Sequence, residues 1–146
     1  MYTARLSEQL YPLDGDTADS VGISTVTGAY CLAESYHRLW FVLNVGEMQA
    51  TATLDAGLQQ STSAAGAGVK AIAGKTITQL TQAGGDGDDL VCIELQTEEL
   101  DVDGGFCYVN YYITVAAAAV ECSAVLYGCS SRYMPVPTTN WQEIVG

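Results

Sequence analysis

Few side chains in this chain are equipped for chemistry, and their spacing limits what they can do. His37 is the sole histidine. A hydrolytic triad needs a nucleophile and a carboxylate brought to it, and the chain holds no G-x-S-x-G nucleophile elbow. His37 therefore reads as structural. The five cysteines, Cys31, Cys92, Cys107, Cys122 and Cys129, are odd in number and form no C-x-x-C pair. A zinc site wants closely spaced pairs. Cys92, Cys107 and Cys122 sit inside apolar strand patterns, so the set reads as small hydrophobes kept as free thiols in a reducing compartment.

Two acidic turns are the best metal candidates: Asp86, Asp88 and Asp89 in one, Asp101 and Asp103 in the other. Counting from Asp101, the twelfth position is Tyr112; counting from Asp86, it is Thr97. Neither is the glutamate that an EF-hand loop requires. Two such turns meeting at one end of a fold would still offer oxygens to calcium. Solvated Asp-Gly turns are the commoner outcome, and no metal or cofactor is expected. The sequence has no glycine-rich phosphate loop and no dinucleotide fingerprint. Paired carboxylates for sugar hydrolysis depend on their separation in the fold. A small hydrolase ranks last among the readings, and the chain is expected not to be an enzyme.

The elements that would carry these residues are strands. Across residues 36 to 60, Leu39, Phe41, Leu43 and Val45 alternate with Arg38, Trp40, Val42 and Asn44, which predicts a central strand covered on both faces. After a break at Gly46 to Ala50, Ala52, Leu54, Ala56 and Leu58 alternate with polar or small residues, as in a half-buried antiparallel strand. The two are read as a hairpin. Further strands are expected as a pair over 21 to 34 with a turn at Thr27-Gly28. Others are expected over 69 to 72, 75 to 81, 90 to 95, 106 to 115 and 120 to 128, with a turn at Ala116 to Ala119. Helical periodicity is nearly absent. The expected fold is therefore all-β, an antiparallel β-sandwich of jelly-roll type with an extended N-terminal arm.

Three regions follow: an arm over 1–20, a β-sandwich domain over 21–136, and a C-terminal tail over 137–146. The arm carries Tyr2, Leu6, Leu10, Tyr11 and Leu13, a stripe that soluble monomers avoid leaving in water. These residues, with Trp141 in the tail, are the candidate subunit or capsid contacts. Removing residues 1–13 is expected to leave a folded domain. The formal charge is −12, with Arg5, Arg38, Lys70, Lys75 and Arg132 the only cationic side chains besides His37. Phosphate binding needs clustered cations, so nucleic acid is not an expected partner. No apolar run is long enough to cross a bilayer, so no membrane association is expected, and no secretory leader is visible.

The segments Tyr36-His-Arg, Val42-Leu-Asn-Val-Gly46, Ala52 to Ser61, Ile77 to Gln82, Tyr111 to Val115, Val125 to Gly128 and Arg132 to Val136 resemble the small β-sandwich proteins of tailed phages. Those proteins are encoded among the head genes near the major capsid protein. The resemblance covers about Tyr36 to Val136. It implies a viral structural protein, a capsid decoration or cement protein on the virion exterior, assembled in the host cytoplasm. Its implied partners are the major capsid protein and copies of itself, as a trimer. A second class is a tail or fibre receptor- or carbohydrate-binding sandwich, with Tyr108, Tyr111 and Tyr112 as an aromatic platform.

Overall fold

Alternation of apolar and polar side chains governs the chain almost throughout. The computed structural model describes residues 5–133 and 140–145. After a single helical turn, α1 (Leu6–Gln9), it builds ten strands. They are β1 (Leu10–Val21), β2 (Ser24–Thr27), β3 (Cys31–Leu32), β4 (Tyr36–Met48), β5 (Thr53–Ser61), β6 (Lys70–Thr76), β7 (Leu80–Thr81), β8 (Leu90–Gln96), β9 (Tyr108–Ala116) and β10 (Val120–Ser131).

One sheet has the order β1-β10-β4-β8 and the other β2-β9-β5-β6, with β3 also on β9 and β7 on β5. Every pairing is antiparallel. The first strand pairs with the last, β2 and β3 with the penultimate, β4 with β8, and β5 with β6. This nested ladder rolled into two sheets is the jelly roll, two interlocked Greek keys. The all-β sandwich expected from the sequence is the fold found.

The core lies between the sheets. Leu39, Phe41, Leu43 and Val45 of β4 and Ala124 and Leu126 of β10 face Leu54, Ala56 and Leu58 of β5 and Tyr111, Ile113 and Val115 of β9; all are buried. The Phe41 and Tyr111 rings stack with centroids 5.1 Å apart, across the two sheets. At Gly28 an added Cβ would collide with the Tyr111 ring, and at Gly128 with the ring of Tyr36. Glycine at these two positions lets backbone lie directly on an aromatic face.

Several expectations require correction. The 36–60 pair is not a hairpin: β4 and β5 belong to different sheets, and the chain crosses between them at residues 49–52. Both strands have an apolar face, and each buries it by facing the other sheet rather than by lying side by side. Nor is β4 covered on both sides, since its outward Trp40 is 39% exposed. The expected strand pair over 21–34 is one interrupted edge strand. β2 and β3 both pair with β9, and Gly28 between them still donates its N–H to Tyr111 O at 3.0 Å. The strands expected at 69–72 and 75–81 are a single β6 to Thr76 and the two-residue β7. The alanine turn does form, with Ala117 in the left-handed region at φ 66°.

The largest correction concerns the arm. Residues 10–21 are the edge strand β1, hydrogen-bonded along β10 from Leu10↔Cys129 to Val21↔Val120. They therefore cross the expected boundary at residue 20. Register shifts between Pro12 and Asp14 and between Asp16 and Asp19 break the alternation. Such bulges insert extra residues and bend a strand, which hides its period in the sequence. The first bulge lets Leu13 pack against the core, and Tyr11 is buried against Tyr36. The Asp14 carboxylate then accepts Ala29 N–H at 2.6 Å, tying β1 to the loop between β2 and β3. The boundary expected at 136/137 lies outside the described residues.

Two outcomes follow. Phe41→Ala should lower stability by about 3–5 kcal/mol in denaturant titration, the usual cost of an emptied aromatic site in a core. Removal of residues 1–13 should unfold or aggregate the chain, because it bares the edge of β10 and the ring of Tyr36. A truncated chain with unchanged circular dichroism and melting temperature would show that β1 is dispensable.

Candidate functional site

The alternation that buries Phe41 turns its neighbours outward. On the outer face of the four-stranded sheet, cross-strand registers align Pro12, Tyr127, Trp40 and Glu94 in one row. Leu10, Cys129, Arg38 and Gln96 form the next, and Gly15, Val125, Val42 and Cys92 the row on the other side. Tyr127 and Trp40 rings lie 6.0 Å apart. Such cross-strand pairs are the contacts that stabilise a sheet face. Asn140 and Trp141 lie against this face. Asn140 donates its side-chain N–H to Pro12 O at 2.8 Å, and the Trp141 ring lies 6.5 Å from Tyr127. The Trp141 indole nitrogen is buried without a hydrogen-bond partner among the described residues.

The middle of the face is thus an aromatic and aliphatic strip running Trp141, Tyr127, Trp40, with Leu10, Pro12, Val42 and Val125 beside it. Its charges are Arg38 and Glu94, paired at 2.6 Å across Trp40's row. Leu90 extends the apolar surface along β8 and is largely exposed. Exposed apolar surface of this kind is where proteins meet partners.

Of the candidate contact residues, Leu10 and Trp141 lie on this face. Tyr11 and Leu13 point the other way, into the sandwich. Leu6 is on α1, 72% exposed. Tyr2 lies outside the described residues. Trp40 and Tyr127, which anchor the strip, were not singled out in the sequence. The signal for Trp40 lies in the apolar outward positions of β4, which by sequence suggest cover on both sides; Tyr127 is on β10 and gains its place from its pairing with Trp40.

The other candidate groups are separated. The turn holding Asp86, Asp88 and Asp89 sits against Gly46, where the Asp88 backbone N–H donates to Gly46 O at 3.1 Å. The turn holding Asp101 and Asp103 is at the opposite end, where Asp101 N–H meets Gln60 Oε1 at 2.9 Å. A joint calcium site across both turns is therefore ruled out by the topology. A hydrogen bond from Lys70, aided by Gly104 N–H, holds the Asp101 carboxyl below the ordinary carboxylate range. Tyr108, Tyr111 and Tyr112 do not share a face either. Tyr111 points inward onto Phe41, and buried Asn110 stands between the outward Tyr108 and Tyr112. Asn110 Nδ2 reaches Gly28 O, while its Oδ1 is unpartnered among the described residues. His37 is exposed on β4 and uses its carbonyl to accept from Thr97.

At the end of the sandwich beside Asp101 is a cleft of about 520 Å³, bounded by Leu100, Val102, Phe106 and Tyr133. Glu34, Glu98 and Arg132 supply its charge.

All five cysteines are free thiols in this structure. Burial, reinforced by the nearby carboxylate of Asp14, pushes the Cys31 thiol up to about 11. Burial, reinforced by Asp16, does the same to Cys122. Burial likewise raises Tyr111.

Among solved structures, the fold is similar to a chain in the structure of infectious bursal disease virus Gt strain. The TM-score is 0.43 at 13% identity, covering 86% of this chain and 33% of that one. It is also similar to a chain in the structure of the Gx strain, with a TM-score of 0.36 at 13% identity, covering 87% and 31%. The chain thus spans about a third of the length of the chains it resembles. No family model matches the sequence, and neither does any curated protein.

The thiols give a measurable outcome. Thiolate is the reacting form, so iodoacetamide near neutral pH should label exposed Cys92 first and Cys31 and Cys122 last. A thiol held protonated by the fold stabilises it fully below the ordinary thiol value of 9.0, and that contribution is lost as pH rises toward about 11. Chemical-denaturation stability should therefore fall above pH 9. The fall should shrink in a Cys31→Ala, Cys122→Ala variant.

Proposed function

We propose that this chain is a virion structural protein: a capsid decoration, or cement, protein. It attaches to the outer surface of a phage head and strengthens contacts between major capsid subunits. The observation that carries the reading is the outer face of the four-stranded sheet. A strip of Trp40, Tyr127 and Trp141 flanked by aliphatic side chains is suited to burial against another protein. Enrichment in aromatic residues with an Arg at the edge is the usual composition of interface hot spots. The resemblance of the strand segments to tailed-phage sandwich proteins supports the same reading, and it carries the expectation of a trimer. The acidic charge of the chain disfavours the packaged DNA as its partner and suits a protein surface instead.

The tail or fibre reading needs an aromatic platform for sugar. Tyr111 is stacked in the core, so the three tyrosines cannot supply one.

The test adds purified chain to heads built from the major capsid protein and measures occupancy per head. Decoration predicts many copies in a regular array; a tail or fibre component would bind in few copies or none. Trp40→Ala should leave the chain folded, with a modest fall in melting temperature from the lost pair with Tyr127, and should weaken head binding by about tenfold or more, as removal of a central aromatic anchor does. Unchanged occupancy with Trp40→Ala would move the attachment surface elsewhere.

A further inference from the structure

The cleft beside Asp101 and the helical turn that precedes β1 complement each other. The cleft volume, about 520 Å³, is that of a site able to take a side chain or two of a partner. Its apolar rim is uncovered: Val102 is 67% and Tyr133 78% exposed. Glu34 and Glu98 line it without an ion pair among the described residues. Arg132 uses its backbone N–H on Ser35 O at 2.9 Å and reaches Thr97 Oγ1 at 3.4 Å, so it does not neutralise either glutamate at short range. The cleft is therefore apolar with a net negative border.

At the same end of the sandwich, α1 presents the opposite character. It enters β1 at Leu10, which pairs with Cys129, three residues before Arg132. Leu6 is 72% exposed, and Arg5 beside it makes no ion pair among the described residues. Glu8 keeps its charge but turns it back onto Arg5 N–H at 2.8 Å, while Arg5 is exposed and carries the cation of this turn. Neither Arg5 nor Leu6 lines the cleft of its own chain.

From this complementarity we infer that the cleft receives Arg5 and Leu6 of a second copy of the chain. Leu6 enters between Val102, Phe106 and Tyr133, and the Arg5 guanidinium meets Glu34 and Glu98. The donor and acceptor surfaces differ but sit at one end. Copies therefore either exchange them reciprocally about a two-fold axis or pass them round a closed ring. This inference does not rest on the virion reading, because it concerns the isolated chain.

The test is sedimentation velocity on the full chain at about 100 µM, a concentration that reveals micromolar association. The wild type should sediment as an oligomer that dissociates on dilution. Arg5→Glu, Leu6→Asp and Glu98→Arg should each weaken association by about tenfold or more, since each sets like charges or a charge against apolar surface at the contact. The swap of both partners, Arg5→Glu with Glu98→Arg, should recover most of it. Each altered side chain is exposed, so melting curves should overlay and separate lost association from lost folding. A wild type that remains at 15.4 kDa would overturn the inference. So would single variants that associate like the wild type. A double swap that stays monomeric would also overturn it, since restored charge complementarity would then fail to restore association.

Discussion

The stack of Phe41 on Tyr111 joins the two sheets and fixes which side of each strand is inside. Strand side chains alternate strictly, so a slip of one residue in β4 would send Phe41, Leu39, Leu43 and Val45 into water together. With Phe41 held in the core, Trp40 and Val42 have nowhere to go but outward. The outer strip is thus a consequence of the core register. The strip's neighbours on β10, Tyr127 and Val125, are set by the same logic through the pairings Tyr127↔Trp40 and Val125↔Val42.

A sandwich also has two lateral seams, where the edges of its sheets would otherwise present unpaired backbone. Each seam here is stitched by one charged side chain bonded to main chain. Asp14 on β1 accepts Ala29 N–H, and Lys75 on β6 donates to Glu94 O on β8 at 2.8 Å while pairing with Glu99. The remaining pairs, Arg38 with Glu94 and Lys70 with Asp101, are exposed, and water screens pairs of this kind so that they add little to stability. Lys70 also lies over the Phe106 ring, 4.0 Å from its centroid, at the rim of the end cleft. In a strongly acidic chain the few cations are placed where they close edges and loops.

What the sequence made legible was period. The inward faces of β4 and β5 stand where their alternation put them, and the sandwich follows from them. Pairing was not legible. β4 and β5 look like a hairpin because they are adjacent and complementary, yet a crossover of four residues is enough to send them to opposite sheets. β1 was hidden by its two bulges, whose extra residues erase the period over Leu13 to Asp19. The candidate site was half visible. Leu10 and Trp141 were picked out as apolar residues in polar surroundings, whereas Trp40 and Tyr127 looked like ordinary strand residues until the register showed them side by side.

The placement of the five basic residues also decides how the folded chain meets trypsin, which cleaves after lysine and arginine in an extended, accessible backbone. Arg38 is in β4 beside the central ladder, and Lys70 and Lys75 are in β6, so cutting there waits on local opening. Arg5 precedes the first strand and Arg132 follows the last. The same scarcity of cations that leaves the surface acidic therefore leaves the ten strands with three tryptic bonds, every one of them held inside β4 or β6.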